Sequence, residues 1–354
     1  MKLSVMFFGS YPTGGTDPSG ADHAARYEDI LAIARAADRL GFHAVWTPER
    51  HFQQVGQIFP SPPVLSAALA VATERIALRA GSAVLPLHHP LRVAEDWSVV
   101  DNLSHGRAGL SVATGWHSTD FVLAPGHYAD RRERALRDIP LLRRLWAGEE
   151  AEFTDGTGRR VAVRPQPRPV QPALPLWMTS SGSPATWEAA GRLRTGVLAA
   201  TVGQRREDLA ERVHTYREAF AAAPTQTGES PAPTVTLMTH AYVGRDDAEV
   251  RSLVADPLKD YLTSYVRQTA ANRGEDNGVA ALTAQTVDRL AQFAFERYLA
   301  WGGLLGSPGT CHKLLADLSE LGCDEVACFV DFGLDRDRII DSLHRLADIG
   351  KDLA

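Results

Sequence analysis

The stretch Trp46-Thr47-Pro48-Glu49-Arg50-His51-Phe52 places an acid, a permanent cation and an imidazole directly after the apolar run His43 to Trp46. An imidazole titrates near working pH, so His51 can donate or accept a proton. Arg50 can stabilise an anion or a substrate carboxylate, and Glu49 can orient either neighbour. The competing reading is a Glu49–Arg50 ion pair that stiffens a loop.

Other chemistry-bearing residues are spaced along the chain. Ser180, Ser181 and Gly182 precede a helical pattern, where hydroxyls and free backbone N–H groups can hold an anion or simply cap the helix. Gly81, Ser82 and Ala83 are small enough to let a flat ligand approach the backbone. Phe7 and Phe8 offer an apolar wall, or else ordinary core. His51, His88 and His117 raise the question of zinc, yet no His-x-His pair supports them and no metal site is expected. His88 and His89 precede Pro90 and read as shaping a loop. No G-x-S-x-G elbow supports a serine nucleophile.

The elements that must position these groups read as apolar runs alternating with helical patterns. The runs are Leu3 to Phe8, His43 to Trp46, Arg75 to Leu85, Ala108 to Thr114, Leu174 to Thr179, Gly196 to Ala200, Thr234 to Val243 and Asp324 to Val330. Between the first two, Ile30, Leu31, Ala34, Ala37 and Leu40 share one helical face, and Gly41 stands where a helix ends. Ser61 is placed to cap the next helix, with proline in its first turn. Eight such units over this length predict an α/β chain folded as a single (β/α)₈ barrel over residues 1–354. A doubly wound open sheet is the runner-up, disfavoured because no G-x-G-x-x-G follows the first run. Residues 149–175, rich in proline and turn formers, predict a hairpin insertion; 245–305 predict a mainly helical insertion near the barrel mouth. In such barrels the working residues sit just past the strands' C-terminal ends, which is where the groups above fall.

Composition limits the partners. With 37 Lys and Arg against 43 Asp and Glu, the chain lacks the basic excess of a nucleic-acid-binding surface. No apolar run is long enough to span a bilayer, and the N-terminal residues do not read as a signal peptide. Cys311, Cys323 and Cys328 lack C-x-x-C spacing. A cytoplasmic protein acting on small molecules, with reduced packing cysteines, is expected.

The chain resembles the bacterial luciferase-like, flavin-dependent monooxygenases. The resemblance rests on "GFHAVWTPERHF", "HPLRVAEDWSVVDNLSHGR", "GWHSTDFVLAP", "PLWMTSSGSPATWEAAG" and "CDEVACFVDFG", and it runs almost end to end. The motifs "GWHSTDFVLAP" and "CDEVACFVDFG" are similar to those of a subgroup found in natural-product biosynthesis. The resemblance implies the barrel and reduced FMN, or in other branches the deazaflavin F420. It places Phe7, Phe8 and Gly9 along the isoalloxazine, and Ser82, Ala83 and Val84 beneath it, where many members have a non-prolyl cis peptide. Thr114 and Gly115 would lie near the ring and ribityl chain, and Ser180, Ser181 and Gly182 at the phosphate. It also implies a separate flavin reductase, O2 as co-substrate, a C4a-(hydro)peroxyflavin, and a homodimer. The substrate would be a small molecule, either free or tethered to a carrier protein that Arg159, Arg160, Arg164 and Arg168 could meet. Trp46, Trp116, His117 and the 245–305 insertion would line and cover the substrate pocket, with Glu49, Arg50 and His51 as catalytic candidates.

Departures from the light-emitting members are as telling. Their catalytic histidine position is Arg50 here, so aldehyde-linked light emission is not expected. Ala113 stands where they have a reactive cysteine, and Thr114 where an arginine meets the phosphate; Arg164 or Arg168 is expected to supply that charge. A flavin- or deazaflavin-linked dehydrogenase, a non-catalytic flavin carrier and a metal hydrolase are the other functional classes considered.

Overall fold

The computed structural model describes residues 1–9, 19–52, 57–225, 232–272 and 284–352. Eight parallel strands close on themselves: β1 (Lys2–Met6), β2 (Ala44–Thr47), β3 (Ala77–Val84), β4 (Ala108–Ala113), β7 (Leu176–Ser180), β8 (Gly196–Ala200), β9 (Val235–Val243) and β11 (Glu325–Phe329). β1 pairs with both β2 and β11, and β8 pairs with β9, so the (β/α)₈ barrel is closed. All eight apolar runs read from the sequence are barrel strands.

The helices that cover the barrel are α1 (Gly20–Leu40), α2 (Pro62–Ala72), α3 (Pro90–Leu103), α4 (Arg131–Ala147), α5 (Pro184–Arg192), α6 (Arg206–Ala222), α7 (Asp247–Asn272), α8 (Ala284–Ala300), α9 (Pro308–Glu320) and α10 (Arg336–Asp352). α1 begins earlier than its apolar face suggests, because Ser19 and Asp22 form a reciprocal capping box. It ends at Gly41, whose φ of 83° and amide bonds to Ala37 and Asp38 make the expected left-handed cap. Ser61 does occupy the N-cap of α2, but its side chain makes no cap bond. Within 149–175, β5 (Ala151–Thr154) and β6 (Arg160–Val163) pair antiparallel. Within 245–305, α7 and α8 are followed by β10 (Leu304–Gly306), which extends the sheet along the end of β9.

Strand alternation sorts side chains into two layers. Leu3, Val5, Phe7, Val45 and Leu78 face outward and pack beneath the helices. Met6, Ala44, Trp46, Trp177, Leu198, Met238 and Phe329 fill the barrel interior, with Phe8 against them. Toward the N-terminal end of the strands this interior carries a charge pair: Arg79 Nη1 lies 2.8 Å from Glu325 Oε2. The polar groups to be considered for function lie at the other end.

Candidate functional site

Glu49 follows β2 and is almost completely buried. Its Oε1 accepts from the Nε2 atoms of two histidines, His51 at 3.0 Å and His88 at 2.6 Å, and its Oε2 accepts the Val84 amide at 2.6 Å. One carboxylate therefore ties the end of β2 to the end of β3 and to the loop beyond it. Burial disfavours its charge, but the hydrogen bonds from His51 and His88, the His88 charge and the Val84 amide outweigh it, and its pKa lies below the ordinary value. Burial likewise disfavours the His88 imidazolium, yet the Glu49 hydrogen bond and charge, with Asp96, raise its pKa. The sequence reading gave His88 only a loop-shaping part. Its bond to Glu49 corrects that reading, and adjacency to proline hid it because the partner is 39 residues away.

Arg50 lies over the Phe8 ring at 4.6 Å and within 5.9 Å of the Trp116 ring. Trp116 is 40% exposed and packs on buried His117, their ring centroids 3.8 Å apart. A few residues on, in the turn Ser118–Leu123, Asp120 is buried, and its Oδ1 has no hydrogen-bond partner among the described residues. Burial raises its pKa to about 6, against the pull of His51 and Arg50 and helped by the Glu49 charge. Asp120 thus faces the Glu49-Arg50-His51 group electrostatically, and the sequence reading passed over it.

The neighbouring strand ends supply a smooth, small-residue wall. The Gly81–Ser82 peptide is cis, at the place the family resemblance indicates. A Cβ on Gly81 would stand 2.9 Å from Met6 Cε and 3.1 Å from Trp46 Cβ, so any larger residue would have to push these side chains aside. The Ser82 and Thr179 hydroxyls are hydrogen-bonded, and Thr179 also meets Ser111 at 2.6 Å, which joins β3, β4 and β7 across the interior. Ala83 faces the outer core, whereas Val84 packs with Leu87 and Phe121. Thr114 is half-buried, and Gly115 beside it has φ +78°, with Phe121 only 2.7 Å from where a Cβ would sit. Beyond β11, the Asp331 carboxylate accepts the Phe8 and Gly9 amides at 2.7 and 2.8 Å and fixes the turn after β1. That brace spans more than 300 residues of sequence and was not foreseen.

After β7, the Ser180 hydroxyl accepts the Gly182 amide at 3.2 Å, Ser181 is exposed, and Gly182 has φ +114°. The cation beside this turn is Arg212 of α6: a Cβ on Gly182 would lie 3.5 Å from its Nη1, which also bonds Gln204. Arg164 and Arg168, expected to supply charge here, are engaged elsewhere. Arg164 pairs with Glu150 at 3.5 Å, and Arg168 donates to the Trp146 carbonyl at 3.1 Å.

Two further expectations are corrected by strand alternation. Phe7 and Phe8 cannot share a wall: Phe7 points outward and stacks on Phe59 with centroids 6.4 Å apart, and only Phe8 faces inward. Trp46 is no cover, being fully buried inside the barrel, edge-on to Trp177 and donating Nε1–H to Glu325 at 3.0 Å. The 245–305 segment does reach Phe8, through the edge of Tyr261 at 5.4 Å. Tyr261 and Tyr298 also flank His240, which burial pushes down to about 3 and so holds neutral. Among the described residues no group of three or more His, Cys, Asp or Glu is arranged to hold a metal, and no helix is long and apolar enough to cross a membrane. The three cysteines are free and buried.

Comparison with known proteins agrees with this architecture. Residues 1–325 match the family described as luciferase-like monooxygenase. The oxygenase component of a flavin-dependent trigonelline monooxygenase from Acinetobacter baylyi is 26% identical over 327 residues, covering 90% of this chain and 88% of that protein. Among solved structures, the monooxygenase RslO1 from Streptomyces bottropensis superposes with a TM-score of 0.79 at 24% identity over the whole of both chains. The oxygenating constituent of 3,6-diketocamphane monooxygenase from Pseudomonas putida, a type II Baeyer–Villiger enzyme in complex with FMN, superposes at 0.74 with 20% identity, covering 98% of this chain and 96% of that one.

Proposed function

The chain belongs to the luciferase-like monooxygenase family, and from that premise we propose that it is the oxygenase half of a two-component system. It would take reduced FMN from a separate flavin reductase and place one atom of O2 in a small natural-product intermediate. The observation that carries the reading is the Glu49 carboxylate, which holds His51 and the Val84 amide at once at the barrel mouth, beside the small-residue wall of β3.

The residues present fit FMN. Phe8, Gly9, Ser82 and Val84 offer a flat apolar-to-small cradle, Thr114 and Gly115 flank it, and Ser180, Ser181, Gly182 and Arg212 form a donor set suited to a phosphate. When bound, reduced FMN supplies the two electrons that let O2 give one oxygen to substrate and the other to water. The chain's own task is to exclude water and move one proton. His51, with Nε2 held by Glu49, has Nδ1 left for proton transfer. Arg50, over Phe8 and Trp116, would bind an anionic oxygen or a substrate carboxylate. Trp116, His117 and Tyr261 would keep the mouth apolar.

The hairpin arginines favour a free substrate over a carrier-bound one. Arg159, Arg160 and Arg164 are paired with Asp155, Glu152 and Glu150, which leaves little net positive charge for an acidic carrier. Exposed Val64 and Val71 on α2 and Val99 and Leu103 on the adjacent α3 suit a homodimer contact.

The test is incubation with reduced FMN, isotopically labelled O2 and a panel of polyketide- and amino-acid-like substrates. One labelled oxygen in product is expected. Turnover that proceeds without oxygen, driven by a reduced deazaflavin, would contradict the reading and favour a dehydrogenase.

A further inference from the structure

The Glu49 carboxylate sits between two imidazoles that face different surroundings. The His88 side chain is 36% exposed, the His51 side chain 10%, and the Glu49 side chain between them 1%. Both ring Nε2 atoms lie on the same oxygen, Oε1, at 2.6 and 3.0 Å. A carboxylate needing only to be satisfied could spread two donors over two oxygens. Here Oε2 accepts the Val84 amide, and both histidines share Oε1.

We propose that His88, Glu49 and His51 form a proton relay that recharges His51 from solvent, with His88 as its outer end. The inference rests on the proposed function in one respect, that His51 serves the reaction. A site that excludes water must still take up one proton for each reduced flavin anion it oxidises, so it needs a protein route for that proton. Neutral His51 rests with its Nε2–H on Glu49 Oε1, and a turn of its ring carries that proton to the pocket side and presents the bare Nδ1 to the carboxylate. His88 then gives its Nε2 proton to Oε1, the carboxyl passes a proton to His51 Nδ1 in the same event, and His51 gives its Nε2 proton to the pocket, which leaves one ring N–H on Glu49 as at the start. One proton enters at His88, one leaves at His51, and Glu49 ends as the carboxylate it began as.

The surrounding charges favour the loading of a proton at the outer end. On its outer side His88 feels Asp96 of α3, itself 2.8 Å from Arg92, so a charged His88 is supported by carboxylates on two elements. On the inner side, Arg50 and Asp120 face His51 and Glu49. His89 adjoins His88 in the chain, and His127 hydrogen-bonds the Pro86 carbonyl at 2.7 Å in the same loop.

The experiment reads His51 itself in the flavin-free protein, as the exchange of its ring N–H with water measured by nitrogen-15 NMR. His88→Gln can still donate to Glu49 but cannot relay, so exchange should slow by about a hundredfold, the low end of general acid–base contributions. In His88→Ala, added imidazole should restore exchange in proportion to its concentration. Wild-type exchange rates in His88→Gln, or a His88→Ala protein indifferent to imidazole, would overturn the relay. If either variant fails to fold, acylation of the exposed His88 in wild-type protein gives the same readout. A separate arm mixes wild-type and His51→Gln proteins, loaded with reduced FMN and no substrate, with O2, and follows proton uptake with an indicator dye. Unchanged uptake in His51→Gln would remove the catalytic role of His51, whereas the NMR result judges the relay by itself.

Discussion

Two of the carboxylates that the barrel buries, Glu325 and Glu49, lie at similar depth at opposite ends and are surrounded differently. Glu325, at the N-terminal end, accepts from Ser4, Trp46, Thr236 and both ways from Arg79. Arg79 lies between the faces of Trp46 and Trp177, at 4.9 and 4.3 Å, and also meets His43 Nε2 at 2.9 Å. Burial, with Arg79 beside it, pushes His43 down to about 4 and keeps it neutral. Glu49, at the C-terminal end, has histidines where Glu325 has a permanent cation, and a half-exposed edge where Glu325 has none. The first arrangement fixes a charge state; the second leaves protons that can move. In a fold whose chemistry belongs at the C-terminal face, that contrast is the division of scaffold from site that the proposed function requires.

Breaking the scaffold pair should give the largest effect. Glu325→Ala strands a buried guanidinium and should cost about 3–5 kcal/mol in denaturant unfolding. Replacing both partners by apolar residues, Arg79→Met with Glu325→Leu, should recover most of that. If the single change is as mild as the double, the two ends are less different than they look.

Disabling the other end should cost less stability and more chemistry. Glu49→Gln keeps one acceptor but loses the charge that holds His51 and His88, and should lower substrate oxygenation by about a hundredfold. A fall in unfolding free energy as large as that of Glu325→Ala would make Glu49 a second scaffold residue.

Asp120 sharpens the comparison through pH. Its unfolded carboxyl ionises near 3.8 but its folded one only near 6, so from about pH 4 to 6 the native state holds the extra proton and stability is lost as pH rises. Asp120→Asn, a mimic of the protonated acid, should therefore gain about 2 kcal/mol at pH 7 and nothing at pH 3. A gain that is constant with pH would mean that packing, not ionisation, is responsible. The mildest change is Arg212→Ala, expected to weaken FMN binding about tenfold, the worth of one charge-assisted hydrogen bond. Equal affinity would move the phosphate away from the turn Ser180 to Gly182.

The barrel was legible because parallel strands buried on both faces leave continuous apolar runs such as Gly196 to Ala200, and because Gly41 marks a helix end by its own backbone. The meeting of Glu49 and His51 was legible because they sit together at a strand end. What escaped was set by partners distant in sequence. His88 takes its meaning from Glu49, and Asp331 from the amides of Phe8 and Gly9. That Arg212, and not Arg164 or Arg168, stands beside Gly182 depends on where α6 lies in the folded chain. Phe7 was misplaced for a simpler reason, since period-2 alternation already forbids it from sharing a wall with Phe8.

The most direct test of the division between the two ends is stopped-flow mixing of O2 with protein loaded with reduced FMN. Wild-type protein and the Arg79→Met, Glu325→Leu double variant should show the same transient near-ultraviolet flavin band, and His51→Gln should shorten its lifetime at least about tenfold. A transient equally long in His51→Gln, or none in any protein because flavin reoxidises as it does free in solution, would contradict the account.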